Sequence, residues 1–216
     1  MPQPIQAVIF DFDGTLIDTF PAIHAGFNAA VAPLYGRELS RDEVIDRFGP
    51  HDEGMLGIEF KDHPERNLAE AIETYYVAYE KAHDAIVPFE GIEELLQELR
   101  KLGLPLGVMT GKSRRAADLT MGHFGWQDKF DVVVTGTEVP NFKPAPDGPL
   151  LAAERLGVAP QNCIYVGDSP ADLGASRSAG MIGVVAGWQS YFQDKLREMK
   201  PEHWANTPDE VLNFCQ

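Results

Sequence analysis

The sequence predicts an α/β fold, a parallel sheet covered by helices, with an all-helical segment inserted near its start. Three observations predict it. Short apolar runs such as Ala7-Val8-Ile9-Phe10 lack the alternation of a half-exposed strand and suit a strand buried on both faces. From Pro88 onward such runs alternate with amphipathic helical patterns, as in a parallel sheet with helical crossovers. Between the first run and Pro88, residues 17–88 carry helical periodicity only and read as an insert. A length of 216 residues with 44% hydrophobic content supports one large domain, or a core with a smaller insert.

The first strand runs straight into Asp11-Phe12-Asp13-Gly14-Thr15. If extended geometry persists, Asp11 and Asp13 leave one face and Phe12 the other. Gly14 permits a sharp turn, and Thr15 sets a hydroxyl beside it. Two carboxylates so close repel unless a cation or a shared proton compensates. By itself the stretch fits a strand-ending turn as well as it fits a built acid pair. The insert opens with a helix capped by Asp18 or Thr19, its apolar positions Ile23, Phe27, Ala30, Val31 and Leu34 on one stripe, ending near Tyr35-Gly36. A short helix from Ser40 to about Phe48 has Glu43 placed for a capping box, and Gly49-Pro50 breaks it. A loop around Lys61 to Pro64 precedes a strong helix over Glu65 to His83. Its stripe of Leu68, Ile72, Tyr75, Tyr76 and Tyr79 is the pattern of core packing.

After Pro88, Ile92, Leu95, Leu96, Leu99 and Leu102 form an amphipathic helix stopped at Gly103. The strand Pro105 to Met109 ends in Thr110-Gly111-Lys112-Ser113, which is either a helix cap or a phosphate-binding turn. It is not a P-loop, because Leu106 stands where that motif needs glycine. A third strand, Asp131 to Thr135, leads to Lys143-Pro144-Ala145-Pro146-Asp147, where prolines stiffen the loop and Pro146 suits the first turn of a helix carrying Leu150, Leu151 and Leu156. A fourth strand, Cys163 to Val166, ends in Gly167-Asp168-Ser169-Pro170-Ala171-Asp172. If Pro170 opens a helix, Asp168 lies at the strand tip and Asp172 in the first turn, where the helix dipole also welcomes an acid. A strand from Ile182 to Ala186, a helix near Tyr191 to Met199 and a last helix from Pro208 to Phe214 complete the chain.

Charge and composition exclude several functions. Against 33 Asp plus Glu there are 18 Lys plus Arg, a formal charge of −15, which argues against generic binding to nucleic acid or an anionic membrane. Cys163 and Cys215 form no metal or redox spacing and are expected to be reduced thiols. No Lys or Arg precedes Arg37 and no apolar run approaches a membrane span, so a cytoplasmic protein is expected. In an open α/β sheet, ligands bind outside the carboxyl ends of the strands. Asp11, Asp13, Thr110, Lys143 and Asp168 all fall at such ends or in the loops after them. Three carboxylates without a His or Cys cluster suit Mg²⁺ rather than zinc, and a hydroxyl and a lysine on the same edge suit a phosphate.

Taken in order, DFDGTL, TGK, KPAPD and GDSPAD resemble the four motifs of the haloacid dehalogenase superfamily, in particular its phosphoglycolate phosphatase-like branch. The resemblance spans the whole chain. It implies a Rossmann-like core over residues 1–16 and 89–216, a helical cap over 17–88, Mg²⁺ dependence and a covalent aspartyl-phosphate. By the same resemblance Asp11 is the nucleophile, and Asp13 protonates the leaving oxygen, then activates water and lends its backbone carbonyl to Mg²⁺. Asp168 ligates the metal directly and Asp172 stands behind it or acts through water. Thr110 and the Gly111 amide bind phosphoryl oxygens, and Lys143 neutralises nucleophile and phosphate. The chain departs from many relatives in having Gly111 after Thr110 where they have Asn, followed by Lys112, Arg114 and Arg115. Lys112 is open between substrate contact and solvation; the two arginines are expected to be solvated. The segment FGPHDEG (48–54) resembles the stretch facing substrate in capped relatives, which makes His51 a candidate contact, with hinges near Ile17 to Thr19 and Ile86 to Phe89.

The expected activity is therefore hydrolysis of a small phosphate monoester, with a phosphoglycolate-like substrate favoured. A pyrophosphatase or a β-phosphoglucomutase-like phosphotransferase shares the motifs. A dehalogenase proper needs neither Asp13 nor a metal. A receiver-type phospho-acceptor module gathers similar groups but carries its acceptor on a later strand and lacks the insert. The partner is a small phosphorylated metabolite, and the chain is expected to be a monomer or homodimer.

Overall fold

The computed structural model describes residues 4–215. Six strands, β1 (Ala7–Phe10), β2 (Leu106–Met109), β3 (Val132–Val134), β4 (Cys163–Gly167), β5 (Ile182–Ala186) and β6 (His203–Ala205), form one parallel sheet in the order β3-β2-β1-β4-β5-β6. Strand β1 lies between β2 and β4, so the order of connection reverses beside it and a crevice opens at its carboxyl end. Side chains alternate between two packed layers. Val8 and Phe10 join Leu106, Val108, Ile164 and Val166 on one face, whereas Ala7 and Ile9 join Met109, Val134 and Tyr165 on the other.

Four α-helices lie between β1 and Pro88: α1 (Phe20–Tyr35), α2 (Arg41–Ile45), α3 (Asp52–Phe60) and α4 (Leu68–Lys81). Helix α1 ends at Gly36 in the left-handed region, and Ser40 with Glu43 forms the expected capping box on α2. Thr19 is the N-cap of α1, but its hydroxyl does not cap. Helix α3 was not expected from the sequence. His51, an uncommon cap, starts it, and Gly54 and Gly57 dilute its helical signal, yet Met55, Leu56 and Phe60 bury a short stripe. The chain crosses out and back along paired segments: Ile17 bridges Pro88, and the Phe89 amide donates to the Leu16 carbonyl at 3.2 Å.

Beyond Phe89, α5 (Ile92–Lys101), α6 (Arg114–Phe124), α7 (Asp147–Leu156), α8 (Pro170–Ser178) and α9 (Gln193–Glu198) alternate with the strands. Ile92, Leu95, Leu96 and Leu99 are buried on α5, each contributing about 1.5–3 kcal/mol of transfer free energy. On α7 Gly148, Pro149, Ala152 and Ala153 are buried, Leu151 and Leu156 pack half-buried against the same core, and Leu150 is exposed. The Pro208–Phe214 segment is a 3₁₀ helix, not an α-helix. The short edge strand β6, three residues paired only with β5, carries too little pattern to read from sequence. Tyr75, Tyr76 and Tyr79 are fully buried, as their stripe predicted. Among the described residues, no helix is long and apolar enough to cross a membrane.

Candidate active site

Register brings the chemistry to one level of the sheet. Phe10 pairs with Val108 and Val166, so Asp11, Thr110 and Asp168, each just past its strand, meet at the carboxyl edge. The Asp11 amide donates to the Val166 carbonyl at 2.8 Å, which fixes the first acid beside β4. Gly14 closes the turn at φ +80°, and a Cβ there would sit 2.5 Å from Asp168 Oδ2. Glycine at this position thus serves both the backbone angle and the approach of Asp168. The Thr15 hydroxyl donates to Asp168 Oδ1 at 3.1 Å.

Asp11, Asp168 and Asp172 are buried, with one carboxylate oxygen from each lying within 4.8 Å of the others. Lys143 enters this group from the loop before α7. Its Nζ donates to Asp11 Oδ1 at 2.8 Å and to Asp172 Oδ1 at 2.6 Å. Asp172 is held further by the Tyr165 hydroxyl at 3.2 Å and by a capping box with Ser169 at the start of α8. Burial, then the neighbouring Asp172, pushes the Asp11 carboxyl up to about 7 against the opposing pull of Lys143. Burial and the same neighbours raise Asp168 well above the ordinary carboxylate range. Burial alone would lower the Lys143 ammonium, but Asp11 and Asp172 overcome it and hold it well above the usual lysine value. One ammonium among three buried acids leaves a negative excess, and an all-oxygen donor set of this kind fits a hard divalent cation such as Mg²⁺.

Asp13 goes elsewhere. Its side chain accepts from the Thr19 hydroxyl, lies 2.9 Å from Lys112 Nζ, and accepts from the Thr110 hydroxyl at 3.4 Å. The Lys112 contact is a close ion pair without hydrogen-bond alignment. Asp11 and Asp13 therefore diverge although they stand two residues apart. The carboxylate cluster takes in Asp172 where the resemblance pointed to Asp13, whose expected contribution is a backbone oxygen. Lys112 is not solvated: it is buried, with its ammonium over the Tyr79 ring at 5.0 Å. Arg114 and Arg115 are partly exposed but paired, with Glu138 and Glu73 respectively.

A cavity of about 560 Å³ opens over this edge, lined by Asp11, Asp13, Gly111, Lys112, Lys143 and Asp168 below and by residues of α1 to α3 above. Its lining includes Pro50 and Asp52 but not His51, whose Nδ1 accepts from the Gly54 amide at 3.4 Å and whose ring faces Phe142. Asp52, which the sequence did not single out, helps tie the helical segment to the start of α6. It is buried, accepts from the Ser113 amide at the start of α6 at 2.8 Å, and accepts from the Tyr75 hydroxyl. Tyr76 and Tyr79 extend this seam, meeting the hydroxyls of Ser113 at 2.8 Å and Thr120 at 2.6 Å.

Comparison with known proteins agrees with this architecture. The chain is 32% identical over 213 residues to a phosphoglycolate phosphatase of Xanthomonas campestris, covering 92% of this chain and 95% of that one. It is 30% identical over 211 residues to the pyrophosphatase PpaX of Halalkalibacterium halodurans, covering 97% and 96%. The crystal structure of CbbY from Rhodobacter sphaeroides in complex with phosphate superimposes with a TM-score of 0.82 at 24% identity over 96% of both chains, a likeness of fold. The sequence profile of the haloacid dehalogenase-like hydrolases matches residues 8–186. With the four motifs gathered on one edge of a parallel sheet, the chain belongs to the haloacid dehalogenase-like hydrolase family.

Proposed function

We propose that this protein is a Mg²⁺-dependent phosphatase that hydrolyses a small phosphate monoester through an aspartyl-phosphate on Asp11. The observation that carries the proposal is the divergence of Asp11 and Asp13 into two environments, one beside Lys143 and the buried carboxylates, the other beside Lys112, Thr19 and Thr110. Two carboxylates in different surroundings suit two different roles. Asp11, Asp168 and the Asp13 backbone carbonyl would hold Mg²⁺, with Asp172 positioned behind them. Bound there, the ion favours ionised Asp11 and offsets charge on the phosphoryl oxygens.

In the first step an Asp11 carboxylate oxygen forms a bond to phosphorus while the ester P–O bond breaks, and the departing alkoxide takes a proton from Asp13. Lys143 keeps the nucleophile in place and neutralises charge as it moves onto phosphorus; Thr110 and the Gly111 amide bind phosphoryl oxygens. In the second step the Asp13 carboxylate removes a proton from water, whose oxygen attacks phosphorus and returns Asp11 as a carboxylate with inorganic phosphate released. Residues 17–88 act as a cap over the core of residues 1–16 and 89–216, moving about the paired crossings at Ile17 and Pro88 and excluding water when closed. The names of the relatives support phosphoglycolate as the first compound to test and pyrophosphate as the second.

The test is phosphate release from a panel of small esters and pyrophosphate, with and without Mg²⁺, with Asp11→Asn as the blank. Mg²⁺-dependent turnover abolished in the variant is expected. Substantial turnover by Asp11→Asn would sink the proposal.

A further inference from the structure

Above the carboxylates, the cavity changes character. Its upper wall is Phe20 and Ile23 of α1, Phe48 and Met55 around the start of α3, and Tyr191 and Phe192 ahead of α9. The rings are contiguous: Phe20 lies 6.4 Å from Phe48 and 5.9 Å from Tyr191, centroid to centroid, both inclined. The volume of about 560 Å³ falls in the range of ~300–1,000 Å³ typical of small-molecule sites.

Among the described residues, the upper chamber carries two acids, and its one cation, Lys195, is exposed. Asp18 and Asp46 line it. The cations that line the cavity are Lys112, paired with Asp13, Lys143, paired with Asp11 and Asp172, and Lys195, which is exposed. Arg41, the nearby guanidinium, is stacked 3.8 Å from the Tyr191 ring centroid and 4.9 Å from that of Phe20, and is not part of the lining. A second anionic group on the substrate would thus enter an apolar, acidic chamber without a buried cation to meet it, which is costly. A flat apolar group would meet ring faces and edges.

We propose that the substrate is a phosphate monoester whose alcohol carries an aromatic or similarly flat apolar group and no second negative charge. This rests on the phosphatase assignment above and departs from the phosphoglycolate and pyrophosphate that the relatives' names put first. Phosphate binds below, against Asp11, Lys143 and Thr110, and the alcohol occupies the chamber of Phe20, Phe48 and Tyr191.

The experiment compares kcat/KM for benzyl phosphate, phosphoglycolate and pyrophosphate with the full chain in Mg²⁺, then repeats it with Phe48→Ala and Phe48→Arg. Benzyl phosphate and phosphoglycolate are both esters of primary alcohols, so binding of the leaving group dominates their comparison. Phe48 is 42% exposed, so neither substitution opens the core. The expected result is at least about a tenfold preference for benzyl phosphate over both anions. Phe48→Ala should shrink that preference, and Phe48→Arg, which adds the missing cation, should shift it toward phosphoglycolate. A specificity constant for phosphoglycolate or pyrophosphate equal to or above that for benzyl phosphate overturns the inference while leaving a phosphatase. A benzyl preference unmoved by both Phe48 variants overturns the aromatic chamber as its source. Mg²⁺-dependent release from none of the three rejects the phosphatase assignment itself, and the substrate class with it.

Discussion

Replacing Lys143 with methionine removes the cation that touches the buried acids while keeping most of the side-chain volume. Its Nζ lies 2.8 Å from Asp11 and 2.6 Å from Asp172, and the three side chains are 10%, 9% and 1% exposed. Breaking a buried pair by deleting one partner costs about 3–5 kcal/mol, because the surviving charge is left uncompensated. A chain of this size loses about 2–4 °C of Tm per kcal/mol, so at about pH 8 in EDTA the variant should melt roughly 6–20 °C below the wild type. The deficit depends on pH. Lys143 opposes the burial and the Asp172 charge that raise Asp11, so without it the folded acids hold protons where the unfolded chain has released them. The folded variant then binds more protons than the unfolded chain, and its stability falls as pH rises above the ordinary Asp range. The stabilisation from Lys143 itself, whose folded pKa is raised, is fully present below the ordinary lysine value and is lost only as pH rises through the raised one. The melting deficit should therefore be larger at about pH 8 than at about pH 5, and Mg²⁺ should recover part of it. Thermal unfolding followed by circular dichroism measures this directly. A Tm within about 2 °C of wild type at about pH 8, or a deficit equal at both pH values, would refute the reasoning.

Other perturbations separate the parts of the site. In metal-free wild type, Asp11, raised to about 7, binds its proton more tightly folded than unfolded. Urea unfolding in EDTA should therefore show this group's stabilisation complete below the ordinary Asp value and lost as pH rises toward about 7, with added Mg²⁺ flattening the decline. Gly14→Ala forces a Cβ to 2.5 Å from Asp168 Oδ2 at a positive φ; activity should fall at least about tenfold and the Mg²⁺ concentration for half-maximal turnover should rise. Asp52→Ala strands the Ser113 amide and the Tyr75 hydroxyl, and should lower stability by about 2–4 kcal/mol in denaturant titration, with Asp52→Asn milder because its amide oxygen still accepts. Asp13→Asn should reduce kcat by about 10²–10⁴, less for 4-nitrophenyl phosphate in a single-turnover measurement, because that leaving group needs little protonation.

Much of the architecture is written locally. The strand at Ala7–Phe10, the helix stop at Gly36, the Ser40 and Glu43 capping box and the Pro170 helix start each follow from a few adjacent residues, and the structure contains each of them. The edge holding Asp11, Thr110, Lys143 and Asp168 was legible because each acid, hydroxyl or lysine directly follows an apolar run or sits in the loop after one. What was not legible depends on distant partners. Nothing around Asp52 announces that Ser113 and Tyr75, far along the chain, will satisfy its carboxylate. Lys112 reads from sequence equally as a substrate contact or a solvated lysine, and only the fold buries it against Asp13 and Tyr79. Helix α3 was hidden by its two glycines and its histidine cap, and β6 by its three-residue length. The wall that faces the leaving group is assembled from Phe20, Phe48 and Tyr191, whose spacing in sequence carries no common period.

The most direct test of the central claim is to quench the enzyme in acid during turnover of a hydrolysed ester and locate any phosphoryl group by mass spectrometry of the proteolysed chain. A phosphoryl group on the peptide containing Asp11, present with Mg²⁺ and absent in Asp11→Asn, is the predicted result. Mg²⁺-dependent turnover with no phosphoenzyme under rapid quench, or with the phosphoryl group on another residue, would contradict it.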